Sequence, residues 1–207
     1  MKEPPAEERT RNHNNPRPNN LDLAGRQQRE DTLNALNSRV YLYNLPRDTP
    51  YEQLFLHLRG RGRVRGAGFY ISDRYPPAIV EFFTHADAAS LLKNARERRF
   101  FVGRWEIHAE WSDIICREAP DDVRTRVVVF RGNVSVVNRD NFQRIWNNSG
   151  EEIEIERIVS EFAGLSKKNT LYYYFTSLKI ALHAWAAVYM EYGNSVEIAF
   201  GPDPCGP

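Results

Sequence analysis

Cysteine is scarce in this sequence: Cys116 and Cys205 are the only two in 207 residues. They lie far apart and without metal-ligand spacing, so we expect no disulfide framework and no zinc site, and a reducing compartment is the default. Long apolar runs are also missing, which argues against a membrane-spanning helix or a signal-peptide core. These features predict a nuclear or cytoplasmic protein that is not secreted and has no membrane partner.

Patterns for catalysis are missing as well. The five histidines, at positions 13, 57, 85, 108 and 183, form no ligand-spaced pair. No Ser/His/Asp, Cys/His or phosphate-loop pattern occurs in the sequence. We therefore expect a protein that is not an enzyme, with no metal, no cofactor and no small-molecule substrate.

A large net charge is also missing, since Lys and Arg total 28 while Asp and Glu total 27. The distribution along the chain is uneven, however. Residues 39–113 carry 12 basic and 9 acidic side chains, and eleven of those basic side chains are arginine. Residues 114–207 carry 10 basic and 12 acidic side chains. A phosphate-binding surface is therefore expected in the first half rather than the second.

The amino-terminal segment differs in composition from the rest. Its first 20 residues contain four prolines, five asparagines and almost no apolar side chains. Such a segment buries too little surface to offset its ordering entropy, so residues 1–20 are predicted to be disordered. The scattered leucines of residues 21–38 predict a short helical extension docked on the folded region after it.

Beyond this segment, strand and helix patterns alternate. The stretch Thr49-Pro50-Tyr51-Glu52 predicts a helix start, with Thr49 at the N-cap, Pro50 at the first helical position and Glu52 reaching back. Thr84 opens a second helix in the same way. The predicted order is strand, helix, strand, strand, helix, strand, over residues 39–46, 49–58, 66–72, 78–83, 84–95 and 104–111.

The second half repeats that order. Asn138 caps its first helix, and its second helix runs from Ser177 to Tyr192 and stops at Gly193. The predicted segments are 126–132, 138–146, 152–162, 170–176, 177–192 and 195–200. The predicted buried face of the last helix consists of Leu178, Ala181, Leu182, Trp185, Val188 and Tyr189.

The repeat predicts an α+β protein with two tandem β-α-β-β-α-β units of the ferredoxin-like type. Each unit is expected to be a four-stranded antiparallel sheet with two helices on one face. The units are predicted over residues 39–113 and 126–203, with a polar linker over 114–125. The last residues, GPDPCGP directly after a strand, suggest a fragment of a longer chain.

The first strand, VYLYNL from Val40 to Leu45, resembles the RNP2 hexamer of the RNA recognition motif (RRM), with its aromatic second position and closing Asn-Leu. The Gly62-Arg63-Val64 lead into the second strand, and the AIVEF strand followed by an alanine-bearing helix, are also similar to that family. The second half resembles an RRM in layout, with VVVFRG at the RNP2 position. The resemblance covers about four-fifths of the chain and implies tandem RRMs, the first with a degenerate RNP1 and the second divergent.

RRMs bind single-stranded RNA by stacking bases on aromatic rings of the open sheet face. Strand alternation predicts that Tyr41 and Tyr43 lie on that face. Where RNP1 has aromatic residues, this sequence has Pro77 and Ile79. Tyr70 from the second strand and His108 from the fourth can partly compensate.

Three carboxylates are predicted to share the face of the first sheet and to repel a phosphate backbone, namely Glu81, Glu106 and Glu110.

In the second unit most of the candidate aromatic residues are on the third strand rather than on the first. Its third strand exposes Tyr172 and Tyr174, with Lys167 and Lys168 just before them, and Phe130 is expected to join them. A slip of one residue would bury this set and expose the other. Packing and base stacking therefore remain alternatives for these rings.

The sequence RGRGRVRG contains Arg59, Arg61, Arg63 and Arg65 and is similar to an RGG box. Its position between a predicted helix and a predicted strand favours an ordinary connecting loop. Four exposed guanidinium groups at a sheet border can still follow phosphates. Both interpretations stay open.

A second resemblance supports a different function. Arg99-Phe100-Phe101 is similar to the Arg-x-Phe loop of UHM-type RRM variants, which hold a tryptophan of a partner protein instead of RNA. The first helix has only Asp48 and Glu52 near its start, whereas that variant is typically acidic there. The alternative function is therefore a protein–protein interaction module within an RNA-processing assembly.

We predict an RNA-binding protein that recognises single-stranded RNA and acts in RNA processing or post-transcriptional regulation. The candidate RNA-binding residues are Tyr41, Tyr43, Tyr70, Ile79, His108, Arg65, Arg104, Phe130, Tyr172, Tyr174, Lys167 and Lys168. The candidate protein-binding residues of the alternative are Arg99, Phe100, Phe101, Asp48 and Glu52.

Overall fold

The computed structural model describes residues 32, 34–70, 77–164 and 167–206. The predicted disordered tail (1–20) and most of the predicted helical extension (21–38) lie outside the described residues. Within the described ranges, no helix is both long and apolar enough to cross a bilayer. The His, Cys, Asp and Glu side chains of these ranges form no group of three or more suited to a metal ion.

The first unit has the predicted β-α-β-β-α-β order, with an additional hairpin before its last strand. Its four-stranded sheet is antiparallel and has the order β2-β3-β1-β6. The elements are β1 (Arg39–Tyr43), α1 (Tyr51–Leu58), β2 (Val64–Phe69), β3 (Ala78–Phe82), α2 (His85–Arg96), β4 (Phe101–Val102), β5 (Trp105–Glu106) and β6 (His108–Trp111).

Side-chain alternation in β1 and β3 divides the first sheet into a core face and an outer face. Val40 and Leu42 of β1 are fully buried against the helices, as is Val80 of β3. Leu54, Phe55 and Leu58 of α1 pack on them, as the apolar spacing of that helix predicts. The predicted inward and outward sets of both strands are confirmed.

The starts of α1 and α2 differ in how their backbone N–H groups are capped. The Thr84 side chain accepts a hydrogen bond from the Asp87 backbone N–H at 3.1 Å, so the predicted cap of α2 is confirmed. The predicted cap of α1 is wrong: Pro50 is the N-cap residue and no side chain of the described residues caps this end. Thr49 instead donates its hydroxyl to the Pro46 carbonyl at 2.7 Å, within the preceding turn.

The predicted fourth strand over 104–111 is divided in two. Buried Ile107 separates β5, which pairs with β4, from β6, which pairs with β1. Glu106 therefore belongs to the β4–β5 hairpin, where it lies 3.4 Å from Arg98. The prediction that Glu106 shares the outer sheet face is wrong.

The second unit has the same architecture. Its sheet has the order β10-β7-β9-β8 and is antiparallel. In both sheets the first and third strands are central and the second and fourth are at the edges. The elements are β7 (Val127–Asn133), α3 (Arg139–Asn148), β8 (Ile155–Ala163), β9 (Lys168–Phe175), α4 (Leu178–Tyr192) and β10 (Glu197–Phe200).

The buried face of α4 differs from the predicted one. Ala184 is fully buried, while Leu182 is only partly buried and Tyr189 is 47% exposed. The Tyr189 ring lies 5.2 Å from the Trp185 ring, stacked at the helix surface. The buried stripe consists of Leu178, Ala181, Ala184 and Val188, and its two alanines let the helix backbone approach the sheet closely.

The two units meet around one buried arginine. Arg126, at the start of the second unit, has a fully buried side chain that pairs with Glu156 and lies 3.3 Å from Asp203. Its guanidinium carbon is 3.7 Å from the centre of the Phe55 ring in α1 of the first unit. A charge buried this deeply is tolerated only when it is paired.

The tail after β10 crosses from the second unit to the first. Asp203 accepts a hydrogen bond from the Val64 backbone N–H at 3.0 Å, and the Cys205 carbonyl accepts one from Gly62 N–H at 3.0 Å. Cys205 is fully buried in the hydrophobic core of the first unit. Residues 201–206 therefore fasten the second unit to the first, which the sequence did not predict.

We expect Arg126→Ala to lower the free energy of unfolding by about 3–5 kcal/mol, because Glu156 and Asp203 are then buried without their partner. Urea unfolding monitored by tryptophan fluorescence measures this change. The matched control is Arg131→Ala, which removes an exposed pair with Glu197 and should leave stability nearly unchanged. Equal stabilities of the wild type and Arg126→Ala would contradict the role of this arginine.

Cys205 should not react with thiol reagents in the folded protein. Burial, with Asp203 nearby, raises the pKa of its thiol to about 12, and only the thiolate is a nucleophile. In a Cys116→Ser variant we expect no reaction with DTNB (5,5′-dithiobis-(2-nitrobenzoic acid)) until urea unfolds the protein. The reciprocal Cys205→Ser variant reports half-buried Cys116 as a control. Rapid labelling of Cys205 under native conditions would show that the tail does not stay docked.

Candidate nucleic-acid interface

Three tyrosines form a cluster on the outer face of the first sheet. The Tyr41 ring lies 6.1 Å from the Tyr43 ring and 5.9 Å from the Tyr70 ring. Tyr43 and Tyr70 are 37% and 42% exposed, on the side of the sheet away from the helices. The cluster offers apolar ring surface to solvent, where bases can stack.

Hydrogen bonds hold the central ring of this tyrosine cluster. Tyr41 donates its hydroxyl to Asp113 at 2.8 Å. Hydrogen bonding with Tyr70 and with Asp113 raises the pKa of Tyr41 to about 12, so its hydroxyl remains a hydrogen-bond donor well above the ordinary range of tyrosine. A neutral phenol adds no charge that would repel a phosphate.

The remaining residues of the outer face include apolar, polar and charged side chains. Ile79 pairs with Tyr41 across the strands and is partly buried, and His108 pairs with Tyr43 and is exposed. Glu81 is ion-paired with its cross-strand neighbour Arg39, which offsets its charge. The expected repulsion of phosphate by the face is therefore weaker than three free carboxylates would give.

The outer face of the second sheet presents its tyrosines with their polar partners. Tyr172 and Tyr174 alternate with buried Leu171 and Tyr173, in agreement with the predicted alternation. Tyr172 donates its hydroxyl to Glu161 at 3.1 Å. The guanidinium of Arg157 lies 4.0 Å from the centre of the Tyr174 ring and covers it.

Phe130 does not join this face, so that expectation is wrong. It is fully buried and contacts Phe142 with a ring separation of 4.8 Å. The reason is strand register: Val128 faces the core opposite Tyr173, so the outward RNP2-like positions are Val129 and Arg131. The expected alignment started the RNP2-like run at Val127. In the observed register this run starts one residue later, at Val128.

The arginine-rich loop makes mostly intramolecular contacts. Arg61 lies 4.9 Å from the Phe100 ring and donates to the His57 carbonyl. Arg63 lies 4.2 Å from the Phe83 ring and donates to the Asp122 carbonyl at 2.6 Å. These contacts place the loop against its own unit and the linker.

Arg65 differs from its neighbours in the loop. Its guanidinium lies 3.6 Å from the Cys116 sulfur, at the border of the outer face. It also lines a cavity beside the sheet. Of the arginines in RGRGRVRG, Arg65 is thus placed to meet a ligand on the face.

The residues of the protein-binding alternative are only partly brought together. Phe100 is fully buried in the core, while Phe101 is 42% exposed on β4. Arg99 lies 3.1 Å from Glu97, so its charge already has a carboxylate partner in this chain. Asp48 and Glu52 are exposed near the start of α1.

Three further candidates are exposed but separate from the tyrosine cluster. Arg104 lies at the turn between β4 and β5, outside the four-stranded sheet. Lys167 and Lys168 lie at the start of β9, where Lys168 pairs with Asn133. The structure does not group these cations with the first sheet.

Sequence reasoning missed Lys179 and Arg124, which border the outer face of the first sheet. Lys179 comes from α4 of the second unit and Arg124 from the linker. No local pattern relates either residue to the first sheet, because their placement depends on the contact between the units.

We expect Phe130→Ala to destabilise the protein by about 3–5 kcal/mol, since it removes a fully buried ring. Tyr172→Ala, at the adjacent outward position of the pairing strand, should cost far less. Comparison of the two urea unfolding curves tests the register of β7. If Tyr172→Ala destabilised the protein more than Phe130→Ala, Phe130 would have to lie on the outer face.

Comparisons with known proteins concern the fold. No protein-family model matches the sequence, and no curated protein matches it. The first two RRM domains of a yeast poly(U)-binding protein (Pub1) align over 79% of this chain and 99% of theirs, with 15% identity and a TM-score of 0.33. RNA recognition domains 1 and 2 of Sex-lethal from Drosophila melanogaster align over 80% and 100%, with 13% identity and a TM-score of 0.32. By its own strand order and helix placement, the chain consists of two ferredoxin-like β-α-β-β-α-β folds in tandem.

Proposed function

We propose that this protein binds single-stranded RNA on the outer face of its first sheet. The observation that carries the proposal is the cluster of three partly exposed rings in which Tyr43 lies 6.1 Å and Tyr70 lies 5.9 Å from the central ring of Tyr41. Successive bases of a single strand stack on such rings with little dependence on sequence. The function is binding, without a chemical step.

The charge around the cluster supports this choice. Residues 39–113 have a net excess of basic side chains, nearly all arginine. The carboxylate of Glu81 on the face is neutralised by Arg39. Glu110 lies opposite Tyr41, and Asp113 holds the Tyr41 hydroxyl. We therefore place the phosphates at the Arg65 border of the face, away from these two carboxylates.

The second sheet is a weaker platform. Arg157 already covers Tyr174, and Tyr172 is held by Glu161. Arg131, at an outward RNP2-like position, lies 3.3 Å from Glu197. A base that binds there must displace these partners, so we assign the primary site to the first sheet.

A binding protein of this kind acts by occupying or presenting RNA. We therefore place it in RNA processing or post-transcriptional regulation, in the nucleus or the cytoplasm. The second candidate function is a protein contact within such an assembly, and the exposed ring of Phe101 favours it, while the guanidinium of Arg99 is shared with Glu97 at the surface.

We expect Tyr41→Ala to weaken RNA binding between about 5-fold and about 150-fold, because a stacked base contributes about 1–3 kcal/mol. The measurement is fluorescence anisotropy with labelled single-stranded RNA of random sequence, about 10 nucleotides long. Tyr189→Ala is the matched control, since it removes an exposed ring from α4. Equal affinities of Tyr41→Ala and wild type would rule out the sheet as the binding surface.

A further inference from the structure

A groove separates the first sheet from α4 of the second unit. It consists of two adjoining cavities, of about 270 Å³ and about 390 Å³, that share Glu81, Ser177 and Lys179 in their linings. We call this space the junction groove. Its walls come from both units, so it depends on the contacts that hold the two units together.

Two glycines form the floor of the junction groove. Gly66 and Gly68 of β2 lie opposite Glu81 and Ile79 of β3 and so belong to the outer face. A Cβ atom at Gly66 would come within 2.8 Å of the Ser177 Cβ, so glycine permits the close contact between the units. A Cβ atom at Gly68 would meet nothing within 4 Å, so the space above Gly68 is open.

One wall of the junction groove carries an uncompensated positive charge. Lys179 is exposed and makes no hydrogen bond or ion pair with any described residue. Arg124 on the linker side is already held by Asp122 at 2.9 Å, and Glu81 by Arg39. Lys179, together with Arg65 at the other side of the same cavity, is therefore a cation that a ligand in the groove would meet.

The junction groove adjoins the tyrosine cluster across β3. Ile79 lies between Tyr41 on one side and Gly68 on the other, in register across three strands. Neighbouring strands are about 4.8 Å apart, so Gly68 is about 10 Å from Tyr41 across the sheet. Tyr70 follows β2 directly and extends the ring surface towards the groove.

We infer that the junction groove binds a nucleotide that adjoins those stacked on the tyrosine cluster, with its base over Gly68 and Ile79 and a phosphate at Lys179. The flat floor of backbone and Ile79 suits a planar base, and the free ammonium group suits a phosphate. The inference rests on the proposed function of the first sheet. It adds that the second unit takes part through α4 rather than through its own sheet.

The test uses two substitutions in the full chain. Gly68→Val fills the floor with a side chain that has room there and suits a strand, so the protein should fold. Lys179→Ala removes the ammonium group. We expect each to weaken binding of the random single-stranded RNA of about 10 nucleotides by at least about 5-fold. Lys179→Ala should also reduce the slope of log affinity against log salt by about 0.7.

Lys93→Ala is the matched control, because Lys93 is exposed on α2 and lines a different surface. Unfolding curves in urea check that every variant is folded. If Tyr41→Ala weakens binding while Gly68→Val and Lys179→Ala bind as wild type, the junction groove is not a binding site and the tyrosine function stands.

Other outcomes separate the two proposals further. If Tyr41→Ala binds as wild type, or wild type binds no RNA, the proposed function fails and the inference fails with it. If Lys179→Ala weakens binding without changing the salt slope, the phosphate contact at Lys179 is wrong.

Discussion

The rest of the structure depends on the buried guanidinium of Arg126. It lies where the linker, β8, the tail and the first unit meet, and each of them supplies part of its surroundings. Glu156 and Asp203 neutralise it, and the Phe55 ring covers it. Because a charge without water needs all of these partners in place, the pairing favours one relative position of the two units over others. Two folds that could have been joined by a free linker thus form one body.

That relative position determines which surfaces face solvent. Ser177 at the start of α4 lies against Gly66, and the Ala67 backbone N–H donates to the Thr176 carbonyl at 2.9 Å. The edge strand β2 is thereby partly covered, which protects it from pairing with other chains. The same contact brings a lysine of the second unit beside the tyrosines of the first. The face proposed to bind RNA is consequently a composite of both units, although its rings come from one.

Local patterns were sufficient to predict what depends on local periodicity. The alternation of β1, β3 and β9, the caps at Thr84 and Asn138, and the stop at Gly193 all follow from neighbouring residues. Phe130 was misplaced because four consecutive apolar residues in β7 contain no alternation from which to choose a register. The contact between the two units was not predictable from local patterns. Arg126, Asp203 and Lys179 acquire their roles from contacts between distant parts of the chain, and no spacing rule relates them.

The docked tail also affects the order in which the protein can be completed during synthesis. Cys205 occupies the core of the first unit and contacts the Phe55 carbonyl, 150 positions earlier in the chain. On the ribosome, α1 and β2 emerge long before this cysteine is made, so the amino-terminal core stays incomplete until residues 201–206 have been added. Contacts of such long sequence separation slow folding. A nascent chain that lacks residues 201–206 exposes Phe55 and its apolar neighbours, so the interval before this tail docks is the period of greatest exposure to aggregation and to chaperones.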